Sequence, residues 1–235
     1  MSNQVHPTAI FENDVQLGRN NVVHAYTILV GPLHIGDDNL IGPQAVIGAP
    51  GQDTRNPRYD SSACLIRIGS GNIIREHVAI QKPCYEDVTH IGDNVHVMHG
   101  VHVPHDAWIE DDVTLTAGAV LAGSVRVLHA ATVAMGCTVH QRSVIGQYSI
   151  AAMGAAVMKN IRPFSRHIPG RPTSVNRYAL EKYGLLDVEA EITLYVLEGR
   201  RPITPSLLAV IEHYEQAHLK SGRQQYGQPP VMTGS

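Results

Sequence analysis

From Ile91 onward an aliphatic residue returns at every sixth position: Ile91, Val97, Val103, Ile109, Leu115, Leu121, Val127, Val133, Val139, Ile145, Ala151 and Val157. Four residues after each, small or β-branched side chains dominate, as at Val95, Val101, Ala107, Val113, Ala119, Val125, Ala131, Cys137 and Ser143. The same phase runs earlier through Val5, Phe11, Leu17, Val23, Leu29, Ile35, Ile41 and Ile47, and resumes at Ile68, Ile74 and Ile80. Neither the 3.6-residue period of a helix nor the simple alternation of a strand has this spacing. A short strand plus a sharp turn does, and three such units close a triangular coil of about 18 residues. Coils stacked at the inter-strand spacing of about 4.8 Å bury one another's aliphatic positions. The expected fold is an all-β parallel β-helix of about eight coils.

The repeat breaks twice, over residues 49–67 and 82–90, where polar residues and prolines predict protruding loops. Loops on a rigid scaffold often carry function, although a tolerated insertion reads the same way. After Pro163 the period is lost. Ser174–Tyr183 reads as a helix stopped by Gly184, Leu186–Leu197 as a second helical stretch before Gly199, and Thr204–Pro205 as the capped start of a third reaching about Lys220. The expected organisation is a β-helix over 1–165, a small α-helical appendage over 166–220, and a disordered tail over 221–235.

Composition fits this picture. Charged residues make up 17% and aromatics 5%, against roughly 25% charged in an average soluble chain. A narrow coil built on Val, Ile, Leu and Ala leaves little room for rings. The formal net charge of −3 argues against a nucleic-acid partner, which selects for basic excess. No apolar run approaches the ~18 residues of a membrane span, and the N-terminus has no signal-peptide pattern. Three scattered cysteines form no disulfide framework, so a reducing cytoplasm is the expected location.

Histidine is the outlier, with fourteen. His96, His99, His102 and His105 recur every third residue. On a triangular coil they fall on different faces and do not converge on one ion, so no metal site is expected. At one coil per 18 residues, His105, Gly123 and Gln141 stack in a column with His140 beside it. Gly123 leaves a notch between two polar walls, wide enough for an extended ligand. A glycine needed only for tight corner packing fits the same position.

The ordered motifs are more specific than the repeat. His102-Val103-Pro104-His105-Asp106, Leu121-Ala122-Gly123, Thr138-Val139-His140-Gln141, Gly51-Gln52-Asp53 and Ile74-Arg75-Glu76 resemble those of the UDP-N-acetylglucosamine O-acyltransferases of lipid A biosynthesis, over roughly residues 5–190. The resemblance implies a left-handed β-helix, although right-handed crossovers are the general rule, and a homotrimer. It also implies acyl transfer from an acyl carrier protein or CoA thioester to the 3-hydroxyl of a UDP-amino-sugar, with no bound cofactor. By the same likeness His105 is the general base and Asp106 its orienting partner, a pairing that requires the chain to turn between them. Gln52, Asp53, His102, His140 and Gln141 resemble the binding shell, and the Gly123 amide or a neighbouring one is a candidate oxyanion donor. Asn176 matches a residue near the pantetheine arm. Met153 stands where the family sets acyl length, implying a short acyl group, while an ordinary core methionine is the plain reading.

The chain departs from the family pattern at Ser124 and Gln81, where histidines are usual, and at Lys182-Tyr183, where a basic pair is usual. Its helical appendage is also shorter. An acyl-CoA-dependent N-acyltransferase of a nucleotide-linked amino sugar and a non-catalytic β-helix scaffold therefore stay open beside the O-acyltransferase.

Overall fold

The computed structural model describes residues 2–55 and 64–227. Three sheets form the faces of a triangular prism: ten strands in sheet A, eight in sheet B and seven in sheet C. Successive short strands pass from A to B to C and back, and each strand pairs in parallel with its counterpart one coil away. Thr114 and Leu115 lie against Thr132 and Val133, 18 residues on. The result is a left-handed parallel β-helix of hexapeptide repeats.

All twelve hexad residues from Ile91 to Val157 are buried, as are Val95, Val101, Ala107 and their equivalents. They form one continuous aliphatic core along the prism. The first coil is the exception, with Val5 and Phe11 exposed, because an end coil has a neighbour on one side only. Bulky rings collect at the opposite end. Phe164, Tyr195 and Leu207 form the core of the helical appendage, and Tyr148 stacks on Phe164 at 5.3 Å.

The turns between faces use the left-handed backbone region. In the coils from Val97 onward that residue is glycine on the A–B edge, at 100, 118, 136 and 154, and Asp106, Ser124 and Arg142 on the B–C edge; the earlier A–B turns use Tyr26, Gln44 and His77. Both insertions leave from the B–C edge. The first joins Val46–Ala49 in sheet B to Leu65–Ile68 in sheet C, and the second joins Ala79–Gln81 to Val88–Ile91. The next crossing of that edge is the turn carrying His105. The loops and the histidine are therefore neighbours through topology alone. Residues 56–63 of the first insertion lie outside the described residues.

The β-structure extends beyond the expected boundary at 165. Ser165–His167 closes sheet A, and Ser174–Val175 returns antiparallel against it. The helices are α1 (Arg177–Lys182), α2 (Glu189–Glu198) and α3 (Pro205–Ser221), with a single 3-10 turn at Leu186–Val188. Gly199 and Gly222 end α2 and α3 in left-handed conformations, as C-terminal glycines do. The expected tail needs correction over residues 221–227. The Asn160 amide donates to the Gln224 carbonyl and the Tyr226 amide to the Asn160 carbonyl. The Tyr226 hydroxyl accepts from the Met158 amide at 2.8 Å. These bonds continue the backbone pairing of the last coil, a signal that side-chain periodicity does not carry. Residues 228–235 of that tail lie outside the described residues.

Candidate active site

Asp106 has φ +61°, the left-handed turn that lets two adjacent side chains meet. The His105 Nδ1 lies 2.7 Å from Asp106 Oδ2. The Asp106 carboxylate is fully buried and accepts the backbone N–H groups of Cys84, Tyr85 and Glu86 at 2.8–3.2 Å. The second insertion thus wraps the carboxylate with amides. Burial pushes the Asp106 carboxyl up, but the His105 bond and the Glu86 and Tyr85 amides outweigh it and hold it below the ordinary aspartate value. An ionised Asp106 only accepts hydrogen bonds, so the His105 Nδ1–H donates to it and Nε2 is left on the Gly123 side of the ring.

Gly123 is required by this histidine. A Cβ there would lie 2.6 Å from His105 Nε2 and closer still to Cε1. The imidazole therefore fills the notch expected above Gly123, and the open space lies on either side of it. Among the described residues the Gly123 N–H has no hydrogen-bond partner.

Two clefts of about 500 Å³ each flank the ring. They share Asp53, Arg55, His105, Gly123 and Gln141. The sheet-B cleft adds Gln52, Gln81, His102, Val120 and Leu121, among others. The sheet-C cleft adds Tyr85, Glu86, Ser124, Arg126, Arg142 and Lys220. Asp53 holds a forked ion pair with Arg55 at 2.9 and 3.0 Å and accepts from the Tyr85 hydroxyl at 2.5 Å. The Arg55 guanidinium, with that hydroxyl, keeps the Asp53 carboxyl far below the usual carboxylate range. The two insertions are thereby tied together beside the base. Burial, then the charge of His105, pushes His102 below the ordinary histidine value. In the sheet-B cleft the Gln81 carbonyl oxygen is buried without a hydrogen bond among the described residues.

Three expected site residues stand apart. His140 places Nδ1 3.3 Å from the Gln141 carbonyl and lines neither cleft. Asn176 donates to the Tyr148 carbonyl at 2.8 Å and precedes α1 without a side-chain capping bond to it. Met153 is 72% exposed on the A–B edge, across the width of sheet B from His105, so it is not a core methionine. Conversely, Tyr85, Arg126, Arg142 and Lys220 were not read from sequence. Ser124 and Arg142 could have been found by counting 18 residues on from Asp106, whereas nothing in the hexads points to Lys220.

The bacterial transferase hexapeptide (six repeats) family matches residues 14–49 and 89–123. The chain is 31% identical to an acyl-[acyl-carrier-protein]–UDP-N-acetylglucosamine O-acyltransferase of Herminiimonas arsenicoxydans, covering 77% of this chain and 76% of that protein. This chain belongs to the UDP-N-acetylglucosamine O-acyltransferase family. Another member, from Synechocystis, is 31% identical over 67% of this chain, a match spanning little more than half (57%) of that protein's length. The solved UDP-N-acetylglucosamine acyltransferase of Campylobacter jejuni shares the fold, with a TM-score of 0.81 at 21% identity over 96% of this chain and 100% of that one.

Ser124 lines the sheet-C cleft and Gln81 the sheet-B cleft. Lys182 places its ammonium 4.8 Å from the Tyr183 ring centre, and that ring packs edge-on against Tyr148, so this pair forms part of the appendage. Among the described residues, no group of three or more His, Cys, Asp and Glu is placed to hold a metal, and no helix is long and apolar enough to cross a membrane.

Proposed function

We propose that this protein is an acyltransferase that moves an acyl group from an acyl carrier protein or CoA thioester to the 3-hydroxyl of a UDP-amino-sugar. The observation that carries the reading is the His105–Asp106 pair, held by three backbone amides in an open cleft. His105 Nε2 takes the proton of the acceptor hydroxyl as the oxygen attacks the thioester carbonyl carbon. Asp106 stabilises the imidazolium so formed. The tetrahedral oxyanion takes a hydrogen bond from the Gly123 N–H. As the intermediate collapses, the C–S bond breaks and the departing sulfur receives the proton from imidazolium. No acyl-enzyme is needed, because the acceptor itself is the nucleophile.

Gln52, Asp53, His102 and Gln141 surround the base where the two clefts meet and bind the sugar. His140 supports the Gln141 backbone. The protein acts as a cytoplasmic homotrimer. Exposed Val120, Met135 and Met153 on and beside the A–B edge suit a subunit contact. Met153 limits acyl length from that edge, and Asn176 borders the path of the pantetheine arm.

The deciding assay offers purified protein acyl-carrier and acyl-CoA thioesters with UDP-N-acetylglucosamine and its 3-amino counterpart. Ester formation is expected, amide formation would replace it by N-transfer, and no transfer with any pair would overturn the reading. His105→Ala should lower kcat by about 10²–10⁴, the usual contribution of a general base. A loss under tenfold would remove His105 from that role. Met153→Gly should extend the accepted acyl chain, and unchanged selectivity would end its assignment.

A further inference from the structure

The two clefts beside His105 differ in charge. On the sheet-B side the lining includes His102, Gln81, Leu121 and the exposed Val120. On the sheet-C side it includes Arg126, Arg142 and Lys220. Three separate parts of the chain deliver these cations. Arg126 stands on a sheet-C strand directly opposite Trp108, its guanidinium 5.6 Å from that ring's centre. Arg142 occupies the left-handed turn position at φ +59°, one coil beyond Ser124. Lys220 comes from the last turn of α3. It is placed by the segment that follows, where Arg223 donates to the Gln141 and Met158 carbonyls at 2.9 Å.

Among the described residues none of the three makes an ion pair, whereas the cleft's other charges are engaged. Asp53 is forked by Arg55, and Asp106 is held by His105 and the loop amides. Glu86 alone adds a further carboxylate to the lining, against three cations. Meanwhile Lys182 faces the Tyr183 ring, outside either cleft.

We propose that Arg126, Arg142 and Lys220 form a diphosphate site, so that the nucleotide half of the acceptor lies over sheet C while the acyl thioester reaches His105 over sheet B. The inference rests on the acyl-transfer reading for the sugar's orientation, but the anion site stands on charge and geometry. Guanidinium groups match phosphate oxygens in pairs, and Lys220 adds a point charge from the opposite wall. Ser124, a small side chain, lines the same cleft.

UDP alone is the probe, with affinity measured by calorimetry on the full-length protein. Arg126→Ala, Arg142→Ala and Lys220→Ala should each weaken UDP binding by about tenfold, the scale of one charge-assisted hydrogen bond. Arg142→Lys should recover part of the loss, and added salt should weaken wild-type binding. In turnover, the same variants should raise the KM for the nucleotide sugar and leave the KM for the acyl thioester unchanged. UDP binding that depends on these residues in a protein without acyl transfer would keep the anion site and discard the enzymatic reading. Acyl transfer with UDP affinity and nucleotide-sugar KM unaltered in the Arg126→Ala/Arg142→Ala double variant would discard the anion site. Matched melting curves separate both outcomes from misfolding.

Discussion

The A–B and B–C edges of the prism turn the chain by the same backbone device and use it differently. In the coils from Val97 onward the A–B left-handed residues, at 100, 118, 136 and 154, are all glycine, with φ between +63° and +67°, whereas the earlier A–B turns use Tyr26, Gln44 and His77. On B–C the equivalent residues are Asp106, Ser124 and Arg142, with φ between +59° and +61°. A non-glycine residue in this region costs about 1–2 kcal/mol. The A–B turns of these later coils avoid that cost and serve the coil. The B–C turns accept it, and in return place a carboxylate, a hydroxyl and a guanidinium in one column beside His105, Gly123 and Gln141. Asp112, Ala130 and Tyr148 on the C–A edge also take the left-handed turn without glycine, so what sets the B–C column apart is that Asp106, Ser124 and Arg142 all line the cleft beside His105.

The sharpest way to break this contrast is at Asp106. Its replacement by Ala removes the acceptor of the Cys84, Tyr85 and Glu86 amides and the orienting partner of His105. Buried amides left unpaired cost about 1–3 kcal/mol each, so a loss of about 2–4 kcal/mol is expected once the loop relaxes. Activity should fall by at least about a hundredfold. Urea unfolding with initial rates checks both. A variant that keeps wild-type stability would show that the loop amides find water instead.

Glycine substitutions compare the edges directly. Gly123→Ala would drive a Cβ into the His105 ring, displacing the base, so a kcat loss of about a hundredfold is expected. Gly118→Ala, on the other edge, meets no atom within 4 Å and strains only its own backbone. It should cost about 1 kcal/mol of stability and leave kcat as it was. If both variants lost activity equally, the distinction between structural and chemical glycines would fail.

Much of this contrast could be read from the chain. The hexads located the core from Val23 to Val157, because every coil must bury the same positions. Counting by 18 placed His105 over Gly123 and Gln141. What periodicity could not carry was side-chain direction and long-range closure. Nothing in a count of 18 says that the His105 ring would occupy the notch, or that Tyr85 would reach Asp53. The contribution of Lys220 depends on Arg223 and Tyr226 binding the last coil, through backbone carbonyls and amides that any sequence presents. Resemblance was an equally partial guide. It matched Asn176 to a residue near the pantetheine arm, but did not show the bond by which that amide holds the Tyr148 carbonyl.

Acid should erode the prism generally rather than one edge. Burial holds His90, His96, His102, His167 and His218 below the ordinary histidine value. Between their lowered values and about 6.5, the unfolded chain binds more protons than the folded one. Stability therefore rises with pH across that window and is lost as pH falls below about 6.5. Denaturation midpoints at pH 8 and pH 5.5 should differ in that direction. His102→Gln should remove part of the slope, and the remaining four histidines should keep the rest. A midpoint unchanged between the two pH values would contradict the burial argument.

The smallest expected effect isolates the backbone itself. Ser124 sits at φ +59°, and its hydroxyl makes no hydrogen bond among the described residues. Ser124→Gly relieves the left-handed strain, offset in part by the greater freedom of glycine in the unfolded chain. A net gain under about 1 kcal/mol is expected, read as a rise of a few degrees at most in Tm for a chain of this size. The reciprocal change on the other edge, Gly136→Ser, introduces the same strain at φ +63° with no atom in its way, and should lower Tm by a comparable amount. If the two shifts are equal and opposite, the edges differ only in what their side chains do for the site. If Ser124→Gly instead lowers Tm, the serine supports the turn, and its retention on the B–C edge is structural.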